Sequence, residues 1–296
     1  MKNKKLTVSV VALIITALLT VFGYYGSEEI KDKTSNLQQN GTIVVHFLDV
    51  GQGDSEFIQL PEGKCMLIDA ATAEYGNKII EQIKALGYTK IDYLVATHPH
   101  SDHIGGMKAV VESFDIGEIY MPRAENNTKT YENLLLAVSD KGLSINTARA
   151  GKEIFRENAI TAEFLAPVKD KYEDLNNYSA VVRLVYGNHS FVFMGDAEVI
   201  SENEIRNTYS AEILKADVLK VGHHGSNTAS SAAFINTVSP KYAVIEVGKD
   251  NSYHHPHYEA VNHLNEAGAS IFRTDINGTV SFVSDKENLT IICEKE

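Results

Sequence analysis

The stretch Thr97-His98-Pro99-His100-Ser101-Asp102-His103-Ile104-Gly105-Gly106 sets four nitrogen and oxygen donors, His98, His100, Asp102 and His103, within six residues. The apolar run 93–96 comes immediately before it and a helical pattern over 107–113 after it. The donors therefore lie where a buried strand ends and a helix begins. Imidazole and carboxylate at this density suit zinc, manganese or iron. His98 and His100 can face one metal while Asp102 and His103, one turn further on, face a second.

Working outward, residues 42–50, 55–60 and 65–68 are β-rich and separated by Gly and Pro, the pattern of meandering strands. Ile79, Ile80, Ile83 and Leu86 share one face of a helix over 77–86. Downstream, strands are expected at 118–121, 144–147, 160–165, 181–186, 191–194, 218–221, 242–247, 271–273, 279–284 and 289–293. Helices are expected at 131–141, 198–207, 231–238 and 258–267. Strands in both halves with helices between them suggest two packed sheets covered by helices.

The 296 residues are 44% hydrophobic and 22% charged, ordinary for a chain with a real core. Lys and Arg number 27 against 39 Asp and Glu, a net charge of -12 that argues against a broad basic surface for nucleic acid. A local groove or a metal can still capture phosphate. Two cysteines, Cys65 and Cys293, make neither a disulfide framework nor a Cys-rich zinc site and read as two buried free thiols, with one bridge between them as the alternative. At the start, Lys2, Lys4 and Lys5 precede an uncharged apolar run over residues 6–22. Residues 1–26 therefore read as an export signal or an uncleaved membrane anchor, with no A-x-A cleavage site to choose between them. Residues 27–40 read as a linker and 41–296 as one domain. The domain is expected to be exported, extracellular or held at the outer face of the cytoplasmic membrane.

HPHSDHIGG resembles the HxHxDH signature of the metallo-β-lactamase superfamily. FLDVGQGDS at 47–55, LID at 67–69, FMGDAE at 193–198, LKVGHHGS at 219–226, HPH at 255–257 and RTDINGTV at 273–280 resemble its ComEC branch, in that branch's order. The resemblance implies an α/β fold, the αβ/βα four-layer sandwich, with two divalent metals on the rim between its sheets: zinc, or manganese as the alternative. It implies His98 and His100 on the first metal, Asp102 and His103 on the second, Asp196 bridging them, and His223 as the last ligand. His224 is expected to bond a neighbour instead, although the sequence does not separate the two. Many members carry a further histidine between the HxHxDH segment and the bridging aspartate. Here that interval holds only His189, in a turn, which reads as a satisfied surface residue. Asn176-Asn177-Tyr178-Ser179 stands in its place, so the first metal is expected to be held loosely or completed by water.

Asp54 follows a Gly-rich turn and reads either as a neighbour of the metals or as a turn-stabilising carboxylate. Asp69, at a strand end, is expected to orient a ligand histidine. His255 and His257 are expected to face substrate, bonding a phosphate or protonating a leaving group, and with Asp102 they are the expected catalytic groups. His46 and His263 read as a strand residue and a helix-face residue. Two bridged metals would activate water without any Ser or Cys nucleophile, and neither GxSxG nor GxxxxGK[ST] occurs. The chemistry expected is metal-assisted hydrolysis, first of phosphodiesters and with nucleic acid as a candidate substrate. The alternative is a small ester, lactone or cell-wall phosphate ester, and last a non-catalytic metal-binding module. No protein partner is expected.

Overall fold

A computed structural model describes residues 41–295. The segments read as signal or anchor and as linker lie outside the described residues. Among the described residues no helix is long and apolar enough to cross a membrane. In chain order the strands are β1 (Ile43–Phe47), β2 (Glu56–Gln59), β3 (Cys65–Ile68), β4 (Lys90–Val95), β5 (Asp115–Met121), β6 (Ile145–Thr147) and β7 (Glu153–Glu157). There follow β8 (Ile160–Phe164), β9 (Val182–Tyr186), β10 (His189–Phe193), β11 (Val218–Lys220), β12 (Tyr242–Ile245), β13 (Ser270–Arg273), β14 (Val280–Ser284) and β15 (Leu289–Cys293).

These strands form an eight-stranded sheet, β15-β14-β1-β2-β3-β4-β5-β6, and a seven-stranded sheet, β13-β12-β11-β10-β9-β8-β7. Each sheet is part antiparallel and part parallel. In the first, β1, β2 and β3 meander while β3 to β6 run parallel. In the second, β7 to β10 are antiparallel and β10 to β13 parallel.

Three apolar layers hold the sandwich together, driven by removal of side-chain surface from water. Between the sheets lie Phe47, Ile58, Val95, Phe164, Phe193 and Phe282. Outside the first sheet, Ile79, Ile83, Met107, Val110 and Leu134 bring in the helices Gly76–Ala85, Met107–Ser113 and Lys129–Asp140. Outside the second, Ile205, Phe234, Ile235 and Leu264 do the same for Val199–Thr208, Ala232–Val238 and Tyr258–Glu266. Two of these helices begin on side-chain caps, Thr128 accepting from Tyr131 N–H and Ser231 from Phe234 N–H. The result is the four-layer αβ/βα sandwich that the sequence leads one to expect.

β7 is absent from the strands expected from sequence, because Ile154 and Phe155 are adjacent rather than alternating, amid charged neighbours. A register shift between Glu153 and Phe155 lets both bury against the core. His189 is not a surface residue: it opens β10, is buried, and its Nδ1 lies 2.7 Å from Ser284 Oγ of the other sheet. Cys65 and Cys293 are both free, the first buried.

His46 is a core histidine, its ring nitrogens 2.8 Å from Ser281 Oγ and Gln59 Nε2. Burial lowers its pKa to about 4. The unfolded chain therefore takes up the proton first as pH falls, and the stability contributed by the neutral ring is present above the ordinary histidine pKa and lost toward pH 4. Between about pH 7 and pH 4.5 the wild type is expected to lose about 2 kcal/mol more than His46→Gln in urea melts. Parallel losses in both proteins would contradict this.

Candidate metal centre

The donors stand just beyond the carboxyl ends of parallel strands, where open α/β sheets bind ligands. Asp69 follows β3, the 98–103 segment follows β4, Asp196 follows β10, and His223 and His224 follow β11. The loop 51–54 closes the rim from the other side. Gly53 has φ +154°, and a Cβ there would sit 2.5 Å from Asp102 O, so only glycine allows Asp54 N–H to donate to that carbonyl at 3.2 Å.

Two donor groups share Asp196. In the first, His98 Nε2 lies 2.9 Å from His100 Nδ1 and 3.7 Å from Asp196 Oδ2. In the second, Asp196 Oδ1 lies 3.2 Å from His103 Nε2 and 3.6 Å from His224 Nε2, which is 3.5 Å from Asp102 Oδ2. Among the described residues, His103 Nε2, His224 Nε2 and Asp196 Oδ1 are buried with no hydrogen-bond partner. Buried polar atoms rarely stay unpaired at no cost, so three converging on one point fit a cation between them. The clusters fit a dinuclear site for divalent metals.

Electrostatics divides the two groups. Burial, reinforced by His103, pushes the His98 pKa well below the ordinary value and favours the neutral imidazole. Burial opposes charge on His103 too, but Asp196, Asp54 and Asp69 outweigh it and raise its pKa well above the ordinary value. For Asp196, burial works against ionisation, yet His103 and His224 hold it well below the usual carboxylate range.

Carboxylates behind the imidazoles fix how they point. His103 Nδ1–H donates to Asp69 Oδ2 at 2.7 Å, and Thr97 secures Asp69 by donating from N–H at 2.8 Å and from Oγ1–H at 2.5 Å. Asp69 thus orients His103, the role its strand-end position suggests. Asp69→Asn is expected to weaken metal binding roughly 10–100-fold, with unfolding little changed; a metal titration showing unaltered affinity would contradict it. Behind His224, Nδ1–H donates to Glu246 O at 3.0 Å, with Asp54 Oδ1 at 3.2 Å. Lys220 Nζ in turn donates to Asp54 Oδ2 at 2.6 Å. Asp54 therefore sits under the metal site, the first of the two readings its sequence allows.

The structure separates the histidine doublet. His224, not His223, completes the second donor group. Both lie in the left-handed region, φ 48° and 52°, so successive side chains leave the turn in different directions. His223 Nε2 stands 3.7 Å from Asp196 Oδ2 at the rim, its Nδ1 near Thr228 Oγ1 (3.2 Å) and Glu198 Oε1 (3.3 Å). In the segment 176–179, Ser179 Oγ accepts from Asp196 N–H at 3.1 Å and lies 3.4 Å from His98 Nδ1, so it positions two donors rather than joining them. Glu198, Lys220 and Glu246 were not singled out from sequence; only the fold brings them here.

Above the donors opens a cleft of about 500 Å³ lined by His100, Asp102, Asp196, His223, His224 and His255 among others. His255 carries a buried Nδ1 with no partner. Burial, with His224, His223 and His257 adding, lowers its pKa to about 4, so it faces the cleft as a neutral imidazole. His257 is not among the cleft's lining residues. Its Nδ1 accepts from Asn227 N–H at 3.0 Å, and its ring lies edge-on to that of His255 at 4.7 Å. His263 Nδ1 lies 2.9 Å from Ser230 O, as suits a helix-face residue. A larger cavity of about 660 Å³, around Gly41, Tyr93, Phe155 and Tyr186, contains none of the metal donors.

Residues 48–248 match the Metallo-beta-lactamase superfamily. The chain is 30% identical over 255 residues to ComE operon protein 3 of Bacillus subtilis (strain 168), covering 80% of this chain and 32% of that protein. It is 32% identical over 234 residues to Competence protein ComA of Neisseria gonorrhoeae, covering 79% and 31%. The chain thus spans about a third of the length of these curated relatives. Among solved structures, CmlA, a diiron β-hydroxylase from Streptomyces venezuelae, superposes with a TM-score of 0.56 at 12% identity, covering 81% of this chain and 53% of that one, a likeness of fold alone. With this match and its paired His/Asp donor groups, the chain belongs to the metallo-β-lactamase superfamily, as a metal-dependent hydrolase related to the ComEC-type competence proteins.

Proposed function

We propose that the chain hydrolyses phosphodiesters, nucleic acid among them, outside the cytoplasmic membrane, with two divalent cations, zinc or manganese. The observation that carries the reading is Asp196, whose two oxygens face two separate donor groups. A carboxylate so placed would hold a cation pair, and such a pair would supply an activated water and charge neutralisation for displacement at phosphorus. His98, His100 and Asp196 would hold one cation, and Asp102, His103, Asp196 and His224 the other. Asp69 and Asp54 keep the imidazoles of His103 and His224 turned inward. Neutral His255, which lines the cleft, can bond a phosphate oxygen or pass a proton at the leaving group. The location rests on the lysine-led apolar run at residues 2–22, which would also attach the domain to the membrane if it stays uncleaved.

The test is to strip the protein with chelator, restore zinc or manganese, and compare a single-stranded oligonucleotide with a carboxylic ester and a lactone. Metal-restored cleavage of the oligonucleotide is the result expected. Turnover of ester or lactone with the oligonucleotide intact would move the activity to the small-ester alternative.

A further inference from the structure

One wall of the cleft is aromatic. Tyr253, 61% exposed, lies against His255 with ring centroids 5.7 Å apart and planes 25° apart. His255 in turn lies against His224 at 6.3 Å and 26°. The three rings thus form a series, each tilted by about 25° from the next, from the second donor group to the exposed Tyr253 in the cleft lining. Its mount is rigid: Asn251 Oδ1 accepts from His255 N–H at 3.0 Å, while its Nδ2 donates to Gly248 O at 2.9 Å and His255 O at 2.7 Å. A large aromatic left in solvent beside a reactive centre, on a loop this well tied, is a ready contact surface.

The rest of the lining narrows what could use it. Gln52, Asn126, Thr128 and Thr130 bring neutral donors and acceptors, and among the described residues no Lys or Arg lines the cleft. A duplex gripped by its phosphates needs a track of cations, which this cleft lacks. A flat heteroaromatic ring that stacks on one side and hydrogen-bonds on the other needs none.

We propose that Tyr253 is the stacking platform for an unpaired nucleobase beside the scissile phosphate, which makes the substrate a nucleoside phosphodiester in single-stranded form. This rests on the phosphodiesterase reading and adds to it the group that the enzyme recognises. The test compares a thymidine dinucleotide with its two analogues lacking one base each, using the metal-loaded full chain and its Tyr253→Ala and Tyr253→Phe variants. For the wild type, kcat/KM is expected to fall roughly tenfold or more when the stacked base is removed. Tyr253→Ala should shrink that preference to about twofold, and Tyr253→Phe should keep it, since the phenyl ring stacks as well. Equal turnover of dinucleotide and analogues by the wild type, or an equal loss on all three in Tyr253→Ala, would overturn the proposal. If no diester is cleaved at all, the phosphodiesterase reading fails separately. Calorimetry with thymidine 5′-monophosphate and deoxyribose 5-phosphate then decides the stacking: tighter binding of the former, lost in Tyr253→Ala, supports it, and equal affinities overturn it.

Discussion

Replacement of Lys220 by methionine is expected to destabilise the protein by about 3–5 kcal/mol, the cost of leaving a buried carboxylate without its partner. Lys220 lies on β11 with no exposed surface, and its ammonium donates to Asp54 Oδ2 at 2.6 Å and Val221 O at 3.0 Å. Burial opposes the charged form, but Asp54 and Glu246 hold its pKa above the ordinary lysine value, so the ammonium persists. The two other carboxyls nearby do not compete for it. Burial, then Asp54, pushes Glu246 up to about 8, and burial, then Glu246, pushes Glu56 well above its usual range. Asp54 is the carboxylate that Lys220 compensates. Methionine keeps the apolar stem and removes only the cation. Asp54→Asn in the same chain should recover part of the loss, giving a coupling of about 1–3 kcal/mol in a double-mutant cycle. Urea unfolding of the four proteins measures it; a loss below about 1 kcal/mol in Lys220→Met would contradict the buried pair. Because Asp54 also faces His224 Nδ1, the same variant should bind metal more weakly.

A larger effect on activity is expected for Asp196→Asn. Asparagine has the shape of aspartate but offers one neutral acceptor where two charged oxygens now face His98 on one side and His103 and His224 on the other. Bound metal should fall from about two per chain to about one or fewer, and turnover on the order of a thousandfold or more. The fold should survive, because Ser179 Oγ holds the backbone N–H of residue 196, not its side chain. A variant that keeps both metals and most of its turnover would contradict the shared-carboxylate arrangement.

The parts of the site that sequence reveals are those written locally. Four donors in six residues after an apolar run can hardly be read otherwise, and Asp196 after Gly195 becomes legible once the family pattern is seen. The alternation of strands and helices suggests two packed sheets covered by helices, but the αβ/βα order of the layers follows only from the resemblance. What stayed hidden depends on backbone conformation or on distant partners. Nothing in Gly222-His223-His224-Gly225 announces two successive left-handed residues, so sequence favoured His223 where the fold turns His224 inward. Lys220 and Asp54 are 166 positions apart, and a lysine within an apolar strand gives no hint of its partner. His257 shares its motif with His255, yet it opens a helix and turns to Asn227, whereas His255 sits below in the cleft. Tyr253 reads as one more loop residue until its ring is seen against His255.

The most direct measurement is turnover of bis-p-nitrophenyl phosphate as metal is titrated into chelator-stripped protein, with bound metal counted in the same samples. Negligible turnover is expected without metal, then a rise that saturates at about two equivalents per chain, and no comparable rise in Asp196→Asn. Two equivalents bound with the diester untouched would contradict the phosphodiesterase assignment. Turnover complete at a single equivalent would contradict the paired site itself.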